Sequence, residues 1–368
     1  MSAPTRLAIL GATGSIGRQA LDVVRAHPDR LRVVALGANR NAEELAALSV
    51  EFPTARTALG ASALVALATD ADADLVLVAT PGVAALRATI AALEDGKRVA
   101  LANKEVLVAA GHIIRRLAGG AGERLRPVDS EHNGLWQCLA GERLDQVRRV
   151  ALTASGGAFR DVPLEALPGV TPQHALRHPT WKMGPKVTID SATLVNKGYE
   201  VVETRWLYGL PYEKIDVVYH PESLVHALVE YVDGSVKAQL AEPDMRLPIQ
   251  YALLWDRAPS PAPRFDWTAD RTLRFGEIQM ARYPCFGVVL ETARSGDQAA
   301  MIGLSAADEV AVERFLRGEI PFTDIASVLR QGAEVGARHR SSSEPELEEI
   351  VAIDAQVRAS LAKMPAVA

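Results

Sequence analysis

Residues 11–17 read Gly-Ala-Thr-Gly-Ser-Ile-Gly and stand between an apolar run, Arg6–Leu10, and a helical pattern, Ser15–Ala26. Glycines at this spacing permit a tight turn and let the backbone approach a pyrophosphate, which rests on the helix N-terminus. Chance turns also match such a loop, but its position between the first strand and the first helix makes it specific. The stretch predicts a dinucleotide-binding site made of Gly11, Thr13, Gly14, Ser15, Ile16 and Gly17.

Four further apolar runs follow in the first 128 residues and alternate with helical patterns. Near-continuous Val, Leu and Ala runs are typical of strands buried on both faces of a parallel sheet. The runs are Leu31–Leu36, Leu75–Ala79, Arg98–Ala102 and Leu125–Val128, and the clearest helical patterns are Val83–Glu94 and Lys104–Leu117. This alternation predicts an α/β fold with an N-terminal Rossmann-like, doubly wound parallel sheet.

The end of the second apolar run distinguishes between the two nicotinamide cofactors. Enzymes that use NAD usually carry an acidic residue there for the ribose 2′-hydroxyl. In this chain the run leads into Gly37, Asn39, Arg40 and Asn41, and the first acidic residue is Glu43. An arginine among amides suits a 2′-phosphate, so the pattern favours NADPH.

The rest of the chain predicts a central α+β region and a terminal helical bundle. The central strand-like runs are Val147–Ala154, Val187–Ile189, Ile215–Tyr219 and Val236–Leu240, and the central helical pattern is Leu194–Leu207. A proline-rich stretch, 257–268, is followed by the helical patterns Cys285–Arg294, Ala306–Arg317, Asp324–Ala337 and Glu344–Leu361. We expect a cofactor domain at 1–128, a catalytic domain at 129–256, a linker at 257–281 and a helical domain at 282–368.

Two carboxylates, Asp129 and Glu131, stand where an apolar run ends. In an extended segment residues i and i+2 point to one face, so we expect both side chains to project together. Adjacent carboxylates repel unless a cation neutralises them, although a solvated strand end is an equally plain explanation of this pair. With Glu200, from a later helical pattern, they form a candidate site for a divalent metal.

The helical pattern before Glu200 carries residue types that bind phosphate. Asn196 and Lys197 precede Glu200 by four and three residues and share its helix face. Ser191 is expected at the helix start, where unpaired N–H groups and the helix dipole favour an anion. Ser155, in a Ser-Gly-Gly turn, offers a further contact. A phosphate one helical turn, roughly 5–6 Å, from a metal fits a small phosphorylated sugar.

Composition and charge exclude several classes of protein. The net charge of −5 argues against a nucleic-acid-binding protein, which carries a basic surplus. The apolar runs are too short to span a membrane, and the start of the chain does not resemble a signal peptide. Two cysteines, Cys138 and Cys285, cannot build a disulfide framework. We therefore expect a cytoplasmic enzyme with no nucleic-acid or membrane partner.

Stretches from end to end of the chain resemble the 1-deoxy-D-xylulose 5-phosphate reductoisomerase family. They are GATGSIG (11–17), LANKE (101–105), VDSEHN (128–133), TASGGAFR (153–160), HPTWKMG (178–184), TIDSATLVNKGYE (188–200), YHPESLVHALVEYVDGS (219–235), EPDMRLPI (242–249) and RYPC (282–285). The most specific part is DSEHN followed by SAT-x-x-NKG-x-E in this order.

The resemblance implies a V-shaped homodimer of three domains that binds NADPH and Mg²⁺, Mn²⁺ or Co²⁺. A phosphorylated deoxy-sugar would rearrange by retro-aldol cleavage and re-addition to a branched aldehyde phosphate. NADPH would then reduce this aldehyde to 2-C-methyl-D-erythritol 4-phosphate, on the way to isoprenoid precursors.

The resemblance also implies roles for individual residues. The metal ligands would be Asp129, Glu131 and Glu200. The substrate would contact Lys104, Ser130, Glu131, Ser155, His178, Ser191, Asn196, Lys197 and Glu200. The catalytic residues would be Lys104, Glu131, His178, Trp181 and His226. Besides the glycine loop, the cofactor would contact Gly37, Asn39, Arg40, Asn41, Asn103, Glu105 and Met245.

The stretch His178–Lys186 is predicted to be a lid. It lacks a helical or strand period, yet it contains Trp181 and Met183. Large apolar side chains on a free loop are unfavourable unless they cover something. Closure of the loop over the substrate would exclude water from the site. Two of its residues, Lys182 and Pro185, depart from the family's pattern. A static loop packed on its own domain is the alternative.

Two other functions are compatible with the glycine loop. A semialdehyde dehydrogenase has a similar loop and uses a cysteine as nucleophile. In this chain Cys138 is the candidate for that nucleophile. The apolar helical run around Cys138, 135–139, favours a packed thiol instead. An NADP-sensing regulator has no need of three carboxylates beside a phosphate site.

Overall fold

The computed structural model describes residues 3–181 and 183–363. Strands and helices alternate in its first part. The strands are β1 (Thr5–Leu10), β2 (Leu31–Ala38), β3 (Arg56–Leu59), β4 (Leu75–Val78), β5 (Arg98–Leu101) and β6 (Leu125–Pro127). The helices are α1 (Ser15–Ala26), α2 (Ala42–Glu51), α3 (Leu64–Ala68), α4 (Leu86–Glu94) and α5 (Lys104–Ala118).

The six strands form one parallel sheet in the order β3-β2-β1-β4-β5-β6, which confirms the predicted Rossmann-like fold. The strand order reverses between β1 and β4. Doubly wound sheets bind ligands in the crevice at this point, beside the carboxyl ends of the strands. All four side chains of β4 are buried, as expected for a central strand covered by helices on both faces.

Three elements of this layer, α2, β3 and α3, were not among the sequence predictions. β3 is the edge strand, and three of its four side chains are exposed, so it lacks a buried apolar run. α3 has only five residues, fewer than a helical period needs to become recognisable.

The central part of the chain contains a second sheet. Its elements are α6 (Ser130–Leu139), β7 (Val147–Ala154), α7 (Pro172–Ala175), α8 (Pro185–Thr193), α9 (Val195–Tyr208), β8 (Ile215–Tyr219), β9 (Val225–Tyr231), β10 (Val236–Leu240) and α10 (Arg246–Leu254). The strand order is β10-β9-β7-β8, in which β7 and β8 are parallel and β9 is antiparallel to both of its neighbours.

The prediction of a strand at Val187–Ile189 is wrong, because these residues lie inside α8. Pro185 occupies the first helical position, where its missing N–H costs nothing. Three apolar residues in a row do not by themselves distinguish a strand from a helix. β9 and α10 were not predicted.

α10 returns to the first sheet and packs against α1. Ile249, Ala252 and Leu253 share a hydrophobic cluster with Leu7 and Leu21. A division of the chain at residue 256 remains our proposal. With this division α10 belongs to the central segment, but it also contributes to the hydrophobic core of the first segment.

Four helices close the described chain, as predicted: α11 (Pro284–Arg294), α12 (Gln298–Leu316), α13 (Ile325–Ala337) and α14 (Leu347–Leu361). α12 packs against α13 and α14 and also against α5 and α8 of the earlier segments. Residues 256–283 are described without a helix, and they pair once with a strand, through an isolated bridge from Gly276 to Tyr219. Among the described residues, no helix is long and apolar enough to cross a membrane.

Candidate active site

The glycine loop lies between β1 and α1 at the carboxyl edge of the first sheet. The N–H groups of Gly11 and Ala12 donate to the carbonyl of Gly37 in β2 at 2.9 and 2.8 Å. A Cβ at Gly17 would lie 2.2 Å from the carbonyl oxygen of Gly11, so glycine is required for this packing of α1 on the loop. Gly14 precedes α1 without a side-chain cap, which leaves the first helical N–H groups available to a phosphate.

Arg40 follows β2 and is exposed, and none of the described residues forms an ion pair with it. Glu44 lies one turn into α2, where Arg18 binds its carboxylate at 2.5 and 2.6 Å. The side chain of Asn41 caps α2 by accepting from the N–H of Glu44 at 3.1 Å. An unpaired arginine beside an acid that is already neutralised is compatible with a 2′-phosphate site.

Asn103, predicted to contact the cofactor, is buried and engaged with protein groups. It caps α5 by accepting from the N–H of Val106 at 2.8 Å, and its amide donates to the carbonyls of Thr80 and Gly82 at 2.5 and 2.8 Å. Its donors are therefore already used, and it positions the segment after β4. Glu105 is likewise buried, and its carboxylate pairs with a lysine of α8.

Asp129, Glu131 and Glu200 converge, with one carboxylate oxygen of each within 4.8 Å of the others. The backbone that achieves this is not the predicted extended segment. Asp129 is the N-cap of α6 and accepts from the N–H of Ser130 at 3.1 Å, and Glu131 lies in the first helical turn. An Asp-Ser pair followed by a helical pattern is a helix-start signal, which the strand interpretation overlooked.

Two lysines lie among these carboxylates. Lys104, the first residue of α5, contacts Asp129 and lies 3.6 Å from Oε1 of Glu200. Lys197 lies 2.9 Å from Oε1 of Glu131 and also contacts Glu200. Two ammonium groups against three carboxylates leave a negative excess at the site, which favours a cation.

The electrostatics of the carboxylates fit a divalent metal. Burial, and then the charge of Glu131, raises the pKa of Glu200 to about 7 despite the opposing effect of Lys197. Burial also opposes the ionisation of Asp129, but Lys104 and His132 together outweigh it and hold the pKa of Asp129 well below its usual range. A hard cation such as Mg²⁺ or Mn²⁺ prefers such oxygen donors and stabilises their charged forms.

His132 and Glu203 lie behind the carboxylates and were not assigned from the sequence. Nδ1 of His132 lies 3.3 Å from Oδ2 of Asp129 and 3.4 Å from Oε2 of Glu203. Burial lowers the pKa of His132, but Glu203 and Asp129 outweigh it and raise that pKa to about 9. The DSEHN motif offered a signal for His132, three residues after Asp129, whereas the role of Glu203 depends on how α9 packs against α6.

Ser155 and Ser191 face each other across His178. Nε2 of His178 lies 3.2 Å from Oγ of Ser155 and 3.1 Å from Oγ of Ser191. Nδ1 accepts from the backbone N–H groups of Thr180 and Trp181 at 3.1 and 2.8 Å. The proton of the neutral ring is therefore on Nε2, between the two serine hydroxyls.

Ser191 does not begin a helix, so that prediction is wrong. It lies in the last turn of α8, and Leu194, with a left-handed φ of 57°, separates α8 from α9. A Cβ at Gly157 would lie 2.5 Å from the carbonyl oxygen of Ser191. The Ser-Gly-Gly turn can therefore pack directly on the end of α8, which brings Ser155 to Ser191.

The residues predicted to hold phosphate fall into two groups in this structure. Ser155 and Ser191 surround His178, as described above. Asn196 instead donates to Oε1 of Glu200 at 2.6 Å, and Lys197 contacts the carboxylates. Asn196 and Lys197 therefore lie on the carboxylate side of the site.

The predicted lid is shorter than expected. Gly184 is the N-cap of α8, and Pro185 and Lys186 are already helical, so the loop ends before them. Lys182 lies outside the described residues. The ring of Trp181 lies 6.0 Å from that of His226 in β9, centroid to centroid.

The remaining predicted residues lie around this centre. His226 is buried, and burial lowers its pKa. The hydroxyl of Ser130 donates to Oε2 of Glu131 at 2.6 Å. Met245 directly precedes α10 and packs against the core of the first sheet.

Cys138 does not have the environment of a nucleophile. It is buried in α6, and burial raises the pKa of its thiol to about 11. A reactive cysteine needs a lowered pKa and access to substrate. The dehydrogenase alternative therefore lacks its essential residue.

Comparisons with known proteins cover nearly the whole chain. The family model described as 1-deoxy-D-xylulose 5-phosphate reductoisomerase matches residues 7–58 and 53–111. Two models of the C-terminal domains of the same family match residues 125–208 and 240–360.

Curated relatives and solved structures agree with these matches. Proteins named 1-deoxy-D-xylulose 5-phosphate reductoisomerase from Thermomicrobium roseum and Geobacillus kaustophilus are 47% and 45% identical, over 96% of this chain and 95% and 97% of theirs. A crystal structure of DOX-P reductoisomerase in complex with NADPH, fosmidomycin and magnesium has a TM-score of 0.92 at 36% identity, with 97% of each chain covered. The Zymomonas mobilis enzyme in complex with NADPH has a TM-score of 0.87 at 39% identity, with 98% of this chain and 99% of that one covered. On these similarities, this chain belongs to the 1-deoxy-D-xylulose 5-phosphate reductoisomerase family.

Proposed function

We propose that this chain catalyses the NADPH- and divalent-metal-dependent rearrangement and reduction of 1-deoxy-D-xylulose 5-phosphate to 2-C-methyl-D-erythritol 4-phosphate, a step of isoprenoid precursor synthesis. The observation that carries this proposal is the convergence of Asp129, Glu131 and Glu200. Three carboxylates beside a serine–histidine anion site suit a small phosphorylated sugar.

Asp129, Glu131 and Glu200 would hold the metal. When bound, the metal supplies a Lewis acid that polarises the ketone and lowers the pKa of the neighbouring hydroxyl. Lys104 and Lys197 adjust the charge around the reacting oxygens. Because the ammonium group of Lys104 is paired with Asp129, it gives electrostatic support rather than acting as a Schiff-base nucleophile.

The substrate phosphate would bind at Ser155, His178 and Ser191, with Asn196 and Lys197 reaching it from α9. Neutral His178 presents an N–H on Nε2, between the hydroxyls of Ser155 and Ser191, whose own protons are free to donate to a phosphate oxygen. Several donors around one small space suit the oxygens of a phosphate.

The cofactor would lie on the glycine loop, with its pyrophosphate at the start of α1 and its 2′-phosphate near Arg40. His226 and Met245 would lie near the nicotinamide. Trp181, beside His226, would exclude water from the aldehyde before hydride transfer. Ser130, next to Glu131, would contact the reacting carbons.

We also propose that the chain acts in the cytoplasm as a homodimer. The division into a cofactor domain (1–128), a catalytic and dimerisation domain (129–256), a linker (257–281) and a helical domain (282–368) belongs to the same proposal. Sedimentation or light scattering of the purified chain tests the dimer directly.

A direct assay tests the activity. The purified full chain is incubated with 1-deoxy-D-xylulose 5-phosphate, NADPH and Mg²⁺, NADPH absorbance is followed, and the product is identified by mass spectrometry. We expect oxidation of NADPH that requires both the metal and the substrate phosphate. Equal turnover of the unphosphorylated sugar, or turnover in excess chelator, would contradict the proposal.

A further inference from the structure

A second buried charge cluster lies outside the metal and phosphate residues. Nζ of Lys186 lies 3.0 Å from Oε1 of Glu105, 2.6 Å from Oδ2 of Asp190 and 2.7 Å from Oδ2 of Asp308. The side chains of the three acids are 9% exposed or less. The cluster joins α5, α8 and α12, three helices that are far apart in the chain.

Each partner of Lys186 near the active site adjoins a residue of that site. Glu105 directly follows Lys104, which contacts Asp129. Asp190 directly precedes Ser191, whose hydroxyl lies 3.1 Å from Nε2 of His178. Lys186 therefore ties together the two backbone segments that present a lysine to the carboxylates and a serine to the phosphate side.

The cluster is poorly suited to a purely stabilising role. One ammonium group faces three carboxylates, and burial raises the pKa of both Asp190 and Asp308. Among the described residues, Oδ1 of Asp190 is buried without a hydrogen-bond partner. Apolar side chains of similar volume often join helices at lower cost than buried charges, whereas buried ionic groups can specify a single arrangement.

We propose that Lys186 is a positioning residue. It holds the first turn of α5 and the end of α8 in one arrangement, so that Lys104 and Ser191 contact the same substrate. The proposal rests on the function proposed above. Lys186 itself touches neither the metal ligands nor the serines, so its effect reaches the reaction through Glu105 and Asp190.

The test compares Lys186→Met with the same substitution at a second lysine, Lys97. Lys97 is 9% exposed and donates to the carbonyls of Asp70 and Ala73 at 2.6 and 3.0 Å, away from the proposed site residues. A displacement of about 1 Å at a reacting centre costs on the order of 100-fold in rate. We expect Lys186→Met to lower kcat/KM about 10- to 100-fold with part of the loss in kcat, and Lys186→Arg to restore part of it. Lys97→Met should change the unfolding temperature and leave kcat and KM unchanged.

Amide hydrogen exchange gives a readout that does not depend on the substrate. In Lys186→Met, but not in Lys97→Met, exchange should rise both at 104–108 and at 185–194. If wild-type chain lacks the activity but exchange changes in this pattern, the function proposal fails and the link between the two helices stands. Exchange and kinetics indistinguishable from those of Lys97→Met would overturn the inference.

A second variant covers the case in which Lys186→Met does not fold. That substitution leaves three buried carboxylates without their cation, and Lys186→Met combined with Glu105→Gln removes one of those charges. Because this variant still lacks Lys186, we expect it to show raised exchange at 104–108 and 185–194 and a lower kcat/KM than Glu105→Gln alone. Exchange and kinetics equal to those of Glu105→Gln would contradict the link.

Discussion

The side-chain amide of Asn196 donates a 2.6 Å hydrogen bond to Oε1 of Glu200, one helical turn further along α9. This bond aims the Glu200 carboxylate, which is 1% exposed, at Asp129 and Glu131. The relationship was predictable, since residues four apart share a helix face. The hydrogen bond places Asn196, which was expected to contact the substrate phosphate, in direct contact with Glu200, a predicted metal ligand.

Replacing Glu200 by glutamine tests the metal site. The amide oxygen can still accept from Asn196, but one negative charge is lost, so metal affinity and turnover should fall together while NADPH binding is retained. Metal titration and NADPH fluorescence measure the two separately. The exposed Glu213→Gln provides the control, and unchanged metal dependence in Glu200→Gln would refute the assignment.

Lys197→Met separates the phosphate role of Lys197 from its contact with the carboxylates. A hydrogen bond to a charged group is worth about 1.5–3 kcal/mol, so KM for the phosphorylated substrate should rise roughly 10-fold or more. Metal affinity should not weaken, because a competing cation leaves Glu131 and Glu200. A loss of metal affinity with unchanged KM would assign Lys197 to the metal site alone.

Arg40→Ala tests the choice of cofactor. Loss of the charged contact should weaken the binding of NADPH by about 1.5–3 kcal/mol and leave the binding of NADH nearly unaffected. Kd for both cofactors is measured by fluorescence titration. Arg32→Ala, on the exposed side of β2, is the matched control, and equal losses for NADPH and NADH in Arg40→Ala would contradict a 2′-phosphate contact.

The loop 178–184 is expected to respond to ligands as a lid. Limited proteolysis should cut it in the free enzyme, and a phosphorylated substrate analogue with metal should protect it. Trp181→Gly should lower turnover more than NADPH affinity, because the indole lies beside His226. Cleavage at the same rate with and without ligand would favour a static loop.

His178 should make the packing of this loop depend on pH. Burial, with Arg160 adding to it, lowers the pKa of His178 to about 4, so the packed loop disfavours the protonated ring. An opened or unfolded chain with an ordinary histidine pKa of about 6.5 takes up the proton first. The packed state is therefore fully favoured above pH ~6.5 and is lost progressively as the pH falls toward 4.

Hydrogen exchange at 178–184 in ligand-free protein, measured between pH 4 and 8 after correction for intrinsic rates, checks this dependence. His178→Gln should abolish it, and His174→Gln, an exposed histidine in α7, should not. Weaker protection at high pH than at low pH would contradict the assigned direction.

Local patterns were sufficient for the parts of this protein that depend on neighbouring residues. The glycine loop, the helix face shared by Asn196 and Glu200, and the four terminal helices follow from turn chemistry and from helical or strand periods. They were predictable because their determinants lie within a few residues of one another. The same short range explains the errors at Val187–Ile189 and at Asp129, where a few residues fit two conformations.

The tertiary structure alone decided which distant residues meet. Ser155 reaches Ser191 because Gly157 has no side chain to separate its turn from the end of α8. Lys186 lies among acids from three helices, and Glu203 reaches His132 across α6 and α9. These contacts depend on how whole helices pack, which no local pattern encodes. The sequence by itself therefore determined which chemical groups are available, and the packing of the helices determined which of them act together.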